Sequence, residues 1–266
     1  MKIHSFRFLM VCLLGGVAGT VVAAPIPSGL SITGTIALDT ANSLDPVGGA
    51  TQSGTLSLLS GAGPTSTATF NNLPSSISPS SFLSGSLTET GNGIGALFAM
   101  LGSTATTAPA QTDGLFADFT LSLSNTSATS TFVVTFRANA ANSVTANGFD
   151  AFAYSDLSVR DAGNNEVFFT DFRADTVNGD SQTASVSNLF SVTLSPGATS
   201  SFTALQRQRG GAFDVGDYSA SLDTVLQLAS VEVRNGGGNG VPEPGTIALL
   251  GIALATLGIN RRRIRS

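Results

Sequence analysis

The sequence predicts an all-β protein, an antiparallel β-sandwich of the Ig-like or jelly-roll-like kind. Apolar and polar residues alternate in short runs through most of the chain, and Gly, Ser, Asn, Asp and Pro separate these runs. Between the two ends of the chain no segment has a strong helical period. Alternation with a period of two is the pattern of half-buried strands. Many short strands between turn residues are typical of sandwiches.

The clearest alternation lies in the middle of the chain. Phe132, Val134 and Phe136 share one face of a predicted strand, and residues 119–124 alternate in the same way just upstream. Residues 125–130 between them are polar, so this pair is predicted to form an antiparallel hairpin.

Further segments follow the same pattern. Strands are predicted at residues 30–38, 55–59, 67–73, 149–159, 166–171, 185–194, 200–205, 218–222 and 225–233. Residues 94–101 are apolar throughout and fit a short helix or a buried strand, because periodicity alone does not separate the two. Arg207 and Arg209 stand beside Gly210 and Gly211 and are predicted to lie in an exposed hairpin loop.

The predicted strands belong to a body at residues 24–234. This length is sufficient for a hydrophobic core without disulfides, and the phenylalanines are expected to supply much of that core. A Thr- and Ala-rich stretch at 103–111 differs in composition from its surroundings. It is the predicted boundary for the alternative in which the body has two parts. Residues 235–240 read Asn-Gly-Gly-Gly-Asn-Gly, which predicts a flexible linker.

The rare residue types define what chemistry the body lacks. Lys2, His4 and Cys12 are the only Lys, His and Cys in the chain. Once this first segment is removed, the remainder has no side chain for a Ser-His-Asp or Cys-His nucleophile, a Schiff-base lysine or a Cys/His zinc site.

Residues 1–23 are predicted to be a secretory signal peptide. Two basic residues precede an uncharged, apolar stretch at 8–22. Cleavage is predicted between Ala23 and Ala24, because cleavage one residue later would place Pro25 directly after the scissile bond. The expected partner at this stage is the Sec export machinery.

The other end of the chain has three parts in a fixed order. They are Pro242, Glu243 and Pro244, then the uncharged run 246–259, then Arg261, Arg262 and Arg263. As a helix, the run would extend only about 21 Å against a hydrocarbon core of about 30 Å, so it predicts a short, marginal transmembrane helix. Arginines remain on the cytoplasmic side of a membrane, which places the body on the opposite side.

Residues 241–266 closely resemble the PEP-CTERM sorting signal of exopolysaccharide-producing Gram-negative bacteria. The resemblance implies recognition of Pro242, Glu243 and Pro244 by a membrane-embedded exosortase, which removes the tail and leaves the body at the cell surface or in the extracellular matrix. Two prolines keep the backbone extended, as a processing enzyme requires. The alternative is a plain single-span anchor.

The body is more acidic than the whole chain, whose formal net charge is −5. Residues 24–241 hold six arginines and 16 acidic residues, a net charge of −10. An acidic surface without lysine argues against binding to nucleic acid or to anionic lipid. Divalent cations are the more natural small partners.

Two loops in the body group oxygen ligands around glycine. The first contains Asp161, Asn164 and Glu166, and the second contains Asp175, Asn178 and Asp180. Such groups are candidate calcium ligands, although neither spacing is that of an EF-hand. The alternative is two solvated β-turns, since Asp, Asn and Gly also close hairpins.

Together these features predict an exported structural or interaction protein of the cell surface or extracellular matrix, not an enzyme. It would be anchored transiently in the inner membrane, with extracellular polysaccharide as a candidate partner and no cofactor other than calcium. The first alternative is a secreted carbohydrate-binding or adhesive module. A secreted glycoside hydrolase is the second, which the lack of Trp and the presence of only two Tyr disfavour.

Overall fold

The computed structural model describes residues 23–72, 82–106 and 108–235. In these residues the segments of alternating apolar and polar side chains form twelve strands. The strands are β1 (Leu30–Leu38), β2 (Thr51–Ser60), β3 (Gly63–Asn71), β4 (Phe82–Ser86), β5 (Gly93–Thr104), β6 (Ala110–Asn125), β7 (Ser130–Gly148), β8 (Ala151–Asp161), β9 (Glu166–Ala174), β10 (Ser181–Leu194), β11 (Thr199–Ala212) and β12 (Gly216–Asn235). The described residues contain no helix. The all-β prediction is confirmed.

The strands form two six-stranded antiparallel sheets. The first sheet has the order β4-β1-β6-β11-β8-β9, and the second has the order β10-β7-β12-β5-β2-β3. In most strands, apolar residues at every second position face the space between the sheets and form one continuous core. The architecture is therefore sandwich-like, and each sheet contains strands from before and after residues 103–111.

The hairpin predicted from residues 119–124 and 131–136 is wrong. β6 pairs with β1 and β11 in the first sheet, whereas β7 pairs with β10 and β12 in the second. The polar loop between them is an arch that joins the two sheets at one end of the sandwich. The Asn125 side chain, 1% exposed, stabilises it by donating to the carbonyls of Ser130, Leu194 and Ser195 at 2.8 to 3.0 Å.

Other strands were located well by alternation. β1 coincides with the predicted segment 30–38, and the ambiguous segment 94–101 lies in a strand, β5. The segments predicted at 218–222 and 225–233 form one long strand, β12, with a bulge after Leu228. Strand β4 was not predicted.

Arg207 and Arg209 lie within β11, so the exposed hairpin loop predicted for them is wrong. The glycines that indicated a turn serve packing instead. A Cβ on Gly210 would collide with the ring of Tyr218, and a Cβ on Gly211 would press on the ring of Phe213. Glycine is needed here because rings occupy the space of a side chain, not because the backbone turns.

The predicted phenylalanine core is present. Phe98, Phe119, Phe132 and Phe136 are among the largest fully buried side chains. Phe136 also contacts the rings of Phe190 and Phe202, with centroids 5.7 and 5.8 Å away. Such aromatic clusters join the sheets by burying large apolar areas.

Candidate functional site

The N-terminal segment of the body is tied to the sandwich. The amide of Ala24 donates to Thr90 Oγ1 at 2.9 Å, and the amide of Thr90 donates back to the Ala24 carbonyl at 2.8 Å. Cleavage between Ala23 and Ala24 would therefore release a chain whose new first residue is already hydrogen-bonded. That cleavage stays a prediction.

The last described strand, β12, ends at the end of the sandwich where the N-terminal segment begins. β12 ends at Asn235, which pairs with Ser130, and the loop that precedes Ser130 is joined to the N-terminal segment by a 2.7 Å bond from the Thr126 amide to the Gly29 carbonyl. The linker predicted at 235–240 begins one residue later, because Asn235 belongs to β12. Residues 236–240, the sorting residues Pro242, Glu243 and Pro244, and the arginines Arg261, Arg262 and Arg263 lie outside the described residues, as does the signal segment before residue 23. Among the residues that are described, none belongs to a helix able to cross a membrane.

The first candidate calcium loop is a turn between β8 and β9. Asp161 Oδ1 accepts the amides of Gly163 and Asn165, both at 2.8 Å, and Asn165 Nδ2 donates to both carboxylate oxygens. These bonds, those from Asn165 first, lower the pKa of Asp161. Asn164 adopts a φ of 62°, the left-handed conformation that asparagine tolerates.

The second loop, between β9 and β10, has the same design. Asp175 Oδ1 accepts the amides of Val177 and Asn178 at 2.7 and 2.6 Å, and Asn178 Nδ2 donates to both Asp175 oxygens. The bond from the Asn178 amide contributes most to lowering the pKa of Asp175.

The structure does not bring the two loops together. They lie at opposite ends of β9, a nine-residue strand about 30 Å long. No group of three or more His, Cys, Asp or Glu that could hold a metal ion occurs among the residues described. Calcium binding stays a prediction for each loop separately, and the bonds within the loops favour the alternative of two solvated turns.

A cluster that the sequence did not indicate lies on the outer face of the first sheet. The guanidinium carbons of Arg173, Arg207 and Arg209 lie 4.9, 4.9 and 5.2 Å from the centroid of the Tyr154 ring. Arg209 pairs with Tyr154 across β11 and β8, and Arg173 pairs with Tyr154 across β9 and β8. Three of the body's six arginines therefore surround one tyrosine that is only 7% exposed.

The carboxylate of Asp156 holds part of this cluster. Arg207 forms a short ion pair with Asp156, which is 5% exposed, and Arg207 Nη2 donates to the Tyr154 hydroxyl at 2.8 Å. Burial lowers the pKa of Arg207, and Asp156 and Tyr154 together raise it by more, so it ends above its ordinary value. Burial, followed by the hydrogen bond to Asp156, raises the pKa of Tyr154.

The remaining two arginines differ from each other. Arg173 Nε lies 3.2 Å from Asp171 Oδ2. Arg209 is exposed and forms no ion pair with any described residue. Three guanidiniums and two carboxylates leave one net positive charge on a body whose net charge is strongly negative.

A groove of about 360 Å³ adjoins the cluster at Arg207. It follows β11 and β8 and is lined by Asp118, Asp156, Ser158, Arg160, Glu166, Phe169, Thr203, Ala204, Leu205 and Arg207. Phe169 and Leu205 are 48% and 39% exposed. Burial first, and then the nearby Asp39, raise the pKa of Asp118. The groove thus combines an apolar strip with hydroxyls and carboxylates.

Residues i and i+2 of a strand share a face. The sequence alone therefore places Tyr154 and Asp156 on one face of their strand, and Arg207 and Arg209 on one face of theirs. It does not say that these two pairs lie on neighbouring strands, β8 and β11. That adjacency is a property of the sheet order.

Comparison with solved structures finds only remote likeness. The infectious bursal disease virus VP2 subviral particle is 10% identical over 85% of this chain and 72% of that chain, with a TM-score of 0.15. The structure of the infectious bursal disease virus Gx strain is 7% identical over 85% of this chain and 71% of that chain, with a TM-score of 0.10. These values support no argument about this protein. No curated protein matches the chain.

The comparison with protein families gives a match in the segment that follows the sandwich. Residues 240–263 match the PEP-CTERM protein-sorting motif. The match includes Pro242, Glu243, Pro244 and the three arginines that the sequence analysis assigned to this signal. The motif supports an exported protein that is sorted by an exosortase. The chain therefore carries a PEP-CTERM protein-sorting motif.

Proposed function

We propose that this protein is an exosortase-processed structural or interaction component of the cell surface or extracellular matrix, without enzymatic activity. The observation that carries the proposal is the match of residues 240–263 to the PEP-CTERM protein-sorting motif. The body is exported behind the signal segment, is held in the inner membrane by residues 246–259, and leaves the membrane when the tail is removed.

The arrangement of the sandwich supports this order of events. The last strand, β12, ends at Asn235, only seven residues before Pro242. The twelve strands of the described residues are complete before the sorting motif begins, so removal of the tail would break none of the sheet pairing described above. The first residue expected after signal cleavage, Ala24, is bonded at that same end.

Fractionation of the native host tests the proposal. The wild-type protein should accumulate outside the inner membrane. A variant with Pro242→Ala, Glu243→Ala and Pro244→Ala should remain in the inner-membrane fraction at the size of the unprocessed chain, because the extended motif is lost.

The matched control is Pro196→Ala. Pro196 lies in the turn between β10 and β11, so this variant tests a proline change outside the motif. It should fractionate like the wild type. Release of the triple variant at the wild-type rate would contradict processing at this motif.

A further inference from the structure

We propose that the Tyr154 cluster and the adjoining groove bind a carboxylate-bearing polysaccharide, with the carboxylate of an acidic sugar held by Arg209 and Arg173. This names a partner for the proposed surface protein and rests on that proposal only for its setting. The binding itself is tested on the protein alone.

The charges of the cluster indicate an anion. Placing three guanidiniums around one ring costs repulsion, which Asp156 and Asp171 offset for Arg207 and Arg173 only. Arg209 is left with the Tyr154 ring as its partner among the described residues. A stacked guanidinium is already oriented, and its planar fork matches the two oxygens of a carboxylate.

The groove indicates what carries that anion. Arg160 and Arg207 pair with Glu166 and Asp156 in the groove, so that Asp118 leaves the lining with a net charge of −1, which disfavours a densely charged polymer such as nucleic acid. The carboxylates and hydroxyls of the groove are good acceptors for sugar hydroxyls. The exposed side chains of Phe169 and Leu205 offer an apolar surface for the C–H face of a sugar ring. A polymer whose carboxylates are separated by neutral sugars fits both parts.

The position of the cluster leaves it open to a long polymer. Tyr154, Arg209 and Arg173 lie near the strand ends at which β8 begins and β11 and β9 end. Asn235, where the chain continues toward the sorting motif, lies at the other end of the sandwich. It pairs with Ser130 beside the end of β6, and Thr199, which pairs with Ser124 there, is ten residues or about 33 Å along β11 from Arg209. An anchored body would therefore present the cluster away from its attachment.

The test measures binding of the purified full chain in detergent micelles, in calcium-free buffer with EDTA. The probes are hyaluronan, which has one carboxylate for every two sugars, carboxyl-reduced hyaluronan and dextran sulfate. Hyaluronan should bind, its carboxyl-reduced form should bind at least tenfold more weakly, and dextran sulfate should be no better than hyaluronan. Failure of hyaluronan to bind, or preference for dextran sulfate, overturns the proposal.

Two arginine variants locate the site. Arg209→Gln should weaken hyaluronan binding at least tenfold, whereas Arg137→Gln should change it less than twofold. Arg137 is also an exposed arginine without an ion pair among the described residues, but it lies on β7 in the other sheet. Equal loss in both variants would mean diffuse electrostatic attraction and would overturn the site. Sorting of the protein in its host is unaffected by either result, so the two proposals fail separately.

Discussion

At the scale of single residues, the pKa of a carboxyl group depends on the side chains and amides that surround it. Asp223 lies on the outer face of the second sheet, in one cross-strand row with Leu97 and Ala141. Loss of solvent beside these apolar neighbours raises its pKa. Asp161 and Asp175 are stabilised by amide donors, and their pKa values are lowered. Three aspartates of the same fold therefore have pKa values shifted in opposite directions, upward for Asp223 and downward for Asp161 and Asp175.

Asp223→Asn is expected to raise the melting temperature at neutral pH by a small amount, because Asp223 is exposed and water screens much of the effect. The raised pKa of Asp223 means that the folded state disfavours its ionised form. The penalty is complete above the folded pKa, shrinks as the pH falls through it, and vanishes below the unfolded value near 3.8. Melting curves of both proteins between neutral pH and pH about 3 should therefore converge in acid. A variant that is less stable than the wild type at neutral pH would contradict the effect of desolvation.

The segment from Arg207 to Gly211 shows a limit of prediction from sequence at this scale, because it was predicted as a loop and lies in β11. Gly210 and Gly211 resemble a turn when read locally. Their positions are fixed by rings from the segment that follows in the chain, Tyr218 in β12 and Phe213 in the loop before it. Residue type indicated that something special happens at Gly210, but only the packing distinguishes a turn from a close approach.

At the scale of elements, the chain alternates between the sheets at most steps. Only β2 with β3 and β8 with β9 are consecutive strands that pair with each other. Apolar and polar alternation defines which face of a strand is buried, and for that reason most strands were predicted. It does not define the partner of a strand, which explains why the hairpin between β6 and β7 was wrong and why the pairing of β11 with β8 was not foreseen.

Asn125→Ala should destabilise the arch between β6 and β7. The substitution leaves the carbonyls of Ser130, Leu194 and Ser195 without the Asn125 donor, and the unfolding free energy should fall by about 2 to 4 kcal/mol. Urea denaturation measures the change.

Asn188→Ala is the matched control for this arch. Asn188 is exposed on the edge strand β10, and among the described residues its side chain accepts a hydrogen bond only from the backbone amide of its neighbour Leu189. Its substitution should change the unfolding free energy by no more than about 0.5 kcal/mol. Equal losses in both variants would mean that the Asn125 bonds do not hold the arch.

At the scale of the whole molecule, the rare residue types and the C-terminal arginines lie in the segments assigned to export and sorting, outside the sandwich. Lys2, His4 and Cys12 fall in the predicted signal, and four of the chain's eleven arginines lie after Asn260. What remains is an acidic sandwich with one arginine cluster on its outer face. The sorting motif was evident from sequence because its parts are contiguous, whereas the cluster was not, because its residues come from β8, β9 and β11.

The most direct test of the central claim is the intact mass of the protein isolated from its native host. Processing at both ends predicts a chain that begins at Ala24 and ends near Pro244. A mass that still includes residues 245–266, with Arg261, Arg262 and Arg263, would contradict removal of the tail and leave a plain membrane anchor.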